Sequence, residues 1–89
     1  MNWQVKIANT ARKNLKRFPT KDKQRIESAL YELIFNPYSG DIEKMEGKGN
    51  SWRRRLGSYR IFYDIDKENK IINVTHIKRR TSSTYLTGK

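Results

Sequence analysis

The four residues Leu56-Gly57-Ser58-Tyr59 constrain this chain more than any others. On one side runs "SWRRR" and on the other "RIFYDI", both alternating in polarity. A two-residue Gly-Ser link between alternating runs predicts a tight antiparallel hairpin. In that register Leu56 faces Tyr59 and Arg55 faces Arg60. Paired residues project to one face of a sheet, and alternate residues share it. Trp52, Leu56, Tyr59, Ile61, Tyr63 and Ile65 then form one face, with Arg54 at its margin, and read as the core layer. Arg53, Arg55, Arg60 and Phe62 form the other. Arginine is costly to bury and gains little from a strand, so either something uses those guanidinium groups or they are a solubilising face.

The flanking segments supply the other elements. "NWQVKIAN" places Trp3, Val5 and Ile7 on one side and Gln4 and Lys6 on the other, as in a strand. "TARKNLKRF" spaces Ala11, Leu15 and Phe18 near the helical period, with Asn9 or Thr10 as N-cap and Pro19 as a stop. Thr20 is positioned to cap a second helix, in which Ile26, Ala29, Leu30, Leu33 and Ile34 fall on one stripe. Asp41 to Asn50 reads as a loop or irregular edge strand. "IINVTHIKRR" is a last strand, and residues 81–89 a polar, flexible tail. The chain is expected to be a single α+β domain over 1–89, in the order β-α-α-β-β-β. Two N-terminal helices should pack on one face of a small antiparallel sheet.

A turn within "DKENK" would place Asp66 opposite Ile71. Continued without interruption, that register puts Thr75 opposite Phe62 and Ile77 opposite Arg60. Asn73, Thr75, Ile77 and Arg79 would join the arginine face, and Ile72, Val74 and His76 the core. On that reading His76 is a packed core histidine.

Charge bears on what such a face could meet. The chain of 89 residues carries 20 Lys and Arg against 9 Asp and Glu, a net charge of +11. So large an excess implies a polyanionic partner, nucleic acid first and an acidic protein second. Guanidinium groups bind phosphate through a two-pronged fork and stay charged at any relevant pH. The chain has no cysteine and one histidine. Thiolate catalysis and disulfides are excluded, a histidine metal site or Ser-His-Asp triad is disfavoured, and no cofactor or metal is expected. No apolar run is long enough to cross a bilayer, and no signal-peptide pattern is present, so a cytoplasmic protein without a membrane partner is expected.

"WRRRLGSYRIFYDI" followed by "HIKRRTSSTY", after a strand and two helices, resembles the RelE/ParE superfamily of bacterial toxin–antitoxin toxins. The similarity runs from "LKRFP" through "YELIFNP" to Tyr85, and the basic residues with the late tyrosine resemble the RelE branch. That resemblance implies a ribosome-dependent mRNA endonuclease that inhibits translation. Its metal-independent chemistry would direct the ribose 2′-OH at the adjacent phosphate. Arg60, Arg79 and Tyr85 match its catalytic positions, and Arg53, Arg55, Lys78 and Arg80 would bind RNA.

RelE itself has lysines where Arg53 and Arg55 stand. Arginine does not lose its proton, so these two would stabilise charge rather than act as base, and the general base stays open. Glu43 is a candidate, as some relatives in the YoeB branch carry a glutamate in a comparable place. Implied partners are the ribosome, mRNA and a cognate antitoxin with an acidic toxin-binding segment, giving a toxin–antitoxin hetero-oligomer. Two alternatives remain: a ParE-like toxin that inhibits DNA gyrase without nuclease chemistry, and a non-catalytic RNA-binding module.

Overall fold

The computed structural model describes residues 2–47 and 49–80. They form β1 (Gln4–Ile7), α1 (Asn9–Lys16), α2 (Thr20–Phe35), β2 (Asp41–Lys44), β3 (Ser51–Leu56), β4 (Tyr59–Asp66) and β5 (Ile71–Arg79). The strands lie in the order β1-β5-β4-β3-β2. The α+β order holds, with β2 as the edge strand that the Asp41–Asn50 segment allowed.

The sheet is mixed rather than antiparallel throughout. β1 runs parallel to β5, with Gln4 opposite Ile71 and Ile7 opposite Val74. Tight turns enforce antiparallel pairing on β3, β4 and β5. β1 is joined to the rest through both helices, a connection long enough for a parallel crossover. The helix starts also differ from expectation. Ala8 and Pro19 precede the first helical residues, and neither helix has a side-chain cap. Asn9, Thr10 and Thr20 therefore lie inside the helices, and the proline's fixed φ leads directly into α2.

The stripe on α2 does what its spacing predicts. Ile26, Ala29, Leu30 and Leu33 are buried against Tyr59, Ile61, Tyr63 and Ile65 of β4 and Ile72, Val74 and Ile77 of β5. Each fully buried large aliphatic contributes roughly 1.5–3 kcal/mol, which makes α2 the main clamp on the sheet. Ala11 of α1 completes the layer. Where β1 ends, the Asn14 side chain accepts from the Ile77 backbone N–H at 2.9 Å. Polar tips at the core margin are satisfied: Tyr59 Oη donates to Asp22 at 2.6 Å, and Tyr63 Oη to the Pro37 carbonyl at 3.0 Å. Burial and then the Asp22 carboxylate raise the Tyr59 phenol above its ordinary pKa, and burial pushes Tyr63 up to about 12.

The hairpin register is as expected, Leu56 opposite Tyr59 and Arg55 opposite Arg60. Gly57 has φ +60°. A left-handed glycine at the first turn position matches the right-handed twist of the flanking strands. Asp66 lies opposite Ile71, also as expected, but the ladder shifts between Phe62 and Tyr63. Tyr63 pairs with Val74, and Phe62 pairs with His76. Thr75 is the extra residue of a β-bulge, which reverses the parity of everything after it.

Candidate nucleic-acid interface

The bulge redraws the arginine face. Arg60 lies opposite Lys78 and Phe62 opposite His76, while Ile77 pairs with Ile61 and Arg79 with Tyr59. Ile77 is in the core at 1% exposure, and the Arg79 guanidinium lies 5.7 Å from the centroid of the Tyr59 ring. The uninterrupted register is thus corrected in three respects. Ile77 and Arg79 belong to the helix-facing side, Thr75 is the bulge itself, and His76 leaves the core for the open face. There its ring stacks on Phe62, with centroids 4.3 Å apart and planes 13° from parallel. Lys78 Nζ stands 5.9 Å from the Phe62 centroid.

At the other edge the arginines meet carboxylates. β2 pairs with β3 so that Glu43 faces Arg53 and Asp41 faces Arg55. Glu43 and Arg53 form an ion pair, and Arg55 Nε reaches Asp41 at 3.1 Å. The Glu43 carboxylate is therefore occupied by a guanidinium. Signs alternate across the β2–β3 pair, as cross-strand stability favours. The signal was in the sequence: acids at Asp41 and Glu43 have the same two-residue spacing as Arg53 and Arg55.

Arg54, the middle arginine, is on the opposite face and 7% exposed. Its Nη1 donates to the Ala29 carbonyl at 3.3 Å and its Nη2 to Glu32 at 2.8 Å. It ties β3 to α2 and is closed off from the arginine face.

Among the described residues, Arg60 and Lys78 form no ion pair with a carboxylate. Within the described residues the Arg60 guanidinium donates only to its neighbour's carbonyl, Tyr59 O, at 3.3 Å. The structure therefore brings together Arg53, Arg55, Arg60 and Lys78 of the expected set with Phe62, expected on this face, and adds His76. Arg79 is on the reverse side. Arg80 is exposed at the end of β5, its backbone N–H bonded to Ser58 O at 2.6 Å. Tyr85 lies outside the described residues. Fixed cations on an open face are suited to holding a phosphodiester and to stabilising charge that grows on its oxygens.

Residues 5–83 match the family described as the ParE toxin of type II toxin–antitoxin systems, parDE. The chain belongs to that family, within the RelE/ParE superfamily, and is a toxin of a toxin–antitoxin system. It is 30% identical over 89 residues to the toxin RelE of Mycobacterium tuberculosis, covering 91% of this chain and 84% of that one. It is 28% identical over 83 residues to the toxin named RelE1 of Methanocaldococcus jannaschii, covering 90% and 92% of the two chains. Its fold superposes on a chain of the RelE–RelB complex from Pyrococcus horikoshii with a TM-score of 0.80. That match has 30% identity and covers 92% of this chain and 99% of the other.

Proposed function

We propose that this toxin is a ribosome-dependent mRNA endonuclease that acts in the cytoplasm and is held in check by a cognate antitoxin. The observation that carries the reading is the open cationic face, on which Arg60 and Lys78 stand without carboxylate partners among the described residues. The likeness to RelE toxins, one of them in a complex with RelB, supports both the activity and the antitoxin partner.

The ribose 2′-oxygen attacks the adjacent phosphorus, and negative charge builds on the phosphoryl oxygens. Arg60 is the cation aimed at that charge. Lys78 and Arg80 hold the neighbouring backbone, with Arg53 and Arg55 as further phosphate contacts. Arg79, which faces the helix side, is assigned a catalytic part by family resemblance alone, and Tyr85 stacks on a base or orients the 2′-OH.

Arg60→Ala tests the reading. Single-turnover cleavage on mRNA-programmed ribosomes should fall by roughly two to three orders of magnitude, with the melting temperature retained. Near-wild-type cleavage by a folded variant would remove Arg60 from the chemistry.

A second reading follows from the family description, which is that of ParE. A ParE-like toxin would leave mRNA intact and accumulate gyrase-cleaved DNA, so the two products separate the readings.

A further inference from the structure

The histidine brought to the open face by the bulge has the chemistry the arginines lack. His76 is the chain's only histidine. It is half-buried and stacked on Phe62, and it lines a cleft of about 250 Å³ with Ser51, Phe62, Asp64 and Thr75. The Thr75 hydroxyl donates to the Phe62 carbonyl at 3.2 Å and lies 3.1 Å from His76 Nδ1. A hydroxyl has one proton to give. With that proton on the Phe62 carbonyl, Thr75 can only accept from the ring, so Nδ1 carries the imidazole's proton. The Nε2 lone pair is left without a partner among the described residues.

We propose that His76 Nε2 is the general base that takes the 2′-OH proton during RNA cleavage on this face, with Thr75 as the residue that positions it. The proposal rests on the ribonuclease reading above. Nε2 accepts the proton as the 2′-oxygen bonds to phosphorus. The bond from phosphorus to the 5′-oxygen breaks, and that oxygen takes a proton from water. The hydroxide so formed removes the proton from Nε2 and restores the base. The products are a 2′,3′-cyclic phosphate and a 5′-hydroxyl.

The surroundings favour a neutral ring. Arg53 and Arg55 on β3, Arg60 on β4, Lys78 on β5 and Lys6 on β1 share the face with His76. The acids there are Asp64, whose carboxylate accepts from Ser51 at 2.6 Å, Asp66, which accepts from Asn69 at 2.8 Å, and Glu43 and Asp41, already paired with Arg53 and Arg55. Burial lowers the imidazole pKa, Lys78 lowers it further, and Asp64 opposes them. Lys78 and Arg60 can therefore hold phosphate beside a ring still free to accept a proton.

Because the chain has a single histidine, one imidazole signal reports on it. Nitrogen NMR of the ¹⁵N-histidine-labelled protein should show the Nδ1–H tautomer, and Thr75→Val should weaken that preference. Single-turnover cleavage on programmed ribosomes should rise with pH and level off above the midpoint of the same NMR titration. His76→Gln should slow it by roughly two to four orders of magnitude and remove the rise. Should His76→Gln fail to fold, Thr75→Val serves in its place, expected to slow cleavage and displace the midpoint of the pH profile. An Nε2–H tautomer in the wild type, or an unchanged rate and pH profile in a folded His76→Gln protein, overturns the proposal while the ribonuclease reading stands. A wild type that cleaves nothing overturns the ribonuclease reading itself, and the proposal with it.

Discussion

Arg54→Ala separates the structural arginine in the run from its neighbours. The guanidinium makes a charge-assisted hydrogen bond to Glu32, a kind of contact worth about 1.5–3 kcal/mol when well shielded. The Glu32 side chain is 55% exposed, so solvent screening reduces that to about 1 kcal/mol. The stem adds more. Alanine keeps the β-carbon, so two methylenes buried between β3 and α2 are lost, at roughly 0.8 kcal/mol per CH₂. The expected loss is about 3 kcal/mol, on the order of 15 °C in melting temperature for a domain of this size. Arg54→Met keeps the volume and discards the buried charge, and should stay within about 1.5 kcal/mol of wild type. Arg55→Ala breaks a pair whose side chains are 51% and 59% exposed, and should change stability by no more than about 0.5–1 kcal/mol. Urea unfolding of the three variants, with thermal melts, provides the comparison. An Arg54→Ala protein as stable as Arg55→Ala would refute the structural role. A fully stable Arg54→Ala protein that no longer cleaves RNA would move Arg54 into the functional set.

Three further outcomes follow from the same geometry. The raised phenol pKa values of Tyr63 and Tyr59 mean that the folded protein keeps protons the unfolded chain releases. The contribution of Tyr63 to stability is thus full below about pH 10 and lost as pH rises through about 12, and an alkaline unfolding series should show a shallower loss for Tyr63→Phe; identical slopes would refute the coupling. RNA affinity should weaken with salt, and Lys78→Gln should reduce the slope of log K against log salt by about one, whereas an unchanged slope would show that Lys78 touches no phosphate. Glu43→Gln should leave single-turnover cleavage within about tenfold of wild type while Tyr85→Phe slows it, and a collapse in the glutamine variant by the 10²–10⁴-fold typical of a lost base would restore Glu43 to that role.

Much of the fold could be read because each element carries its own local signal. Gly57 and Ser58 sit between two alternating runs, so turn chemistry and polarity gave one register. The α2 stripe was equally explicit. β1 was recognisable as a strand, but its parallel partner was not, because nothing local to "QVKI" says which distant edge it joins. Strict alternation through "IINVTHIKR" does not predict the bulge. Ile72 and Val74 are two apart, yet the next core residue is Ile77, three further on. That break marks an inserted residue, and it decides that His76 rather than Ile77 shares the face with Arg60. A motif match to Arg79 carries no strand register, so it does not say which face of the sheet the residue occupies.

The edge strand and the bulge together determine how much of the basic run can meet phosphate at once. Arg55 is held by a β2 carboxylate in an exposed pair and Arg53 in a half-exposed one, the kind worth about 0–1 kcal/mol. A phosphodiester that offers them two-pronged contacts can displace those partners at little cost. Arg60 and Lys78 need no such exchange among the described residues, and Arg54 cannot take part without unpacking α2. Phosphate should therefore engage the β4–β5 side of the face first and recruit the β3 arginines second. In binding titrations, Arg60→Ala should weaken RNA affinity more than Arg53→Ala or Arg55→Ala does. Removing the competitor with Asp41→Asn should strengthen it. If Asp41→Asn instead weakened binding, the β2 carboxylate would be orienting Arg55 for phosphate rather than competing with it.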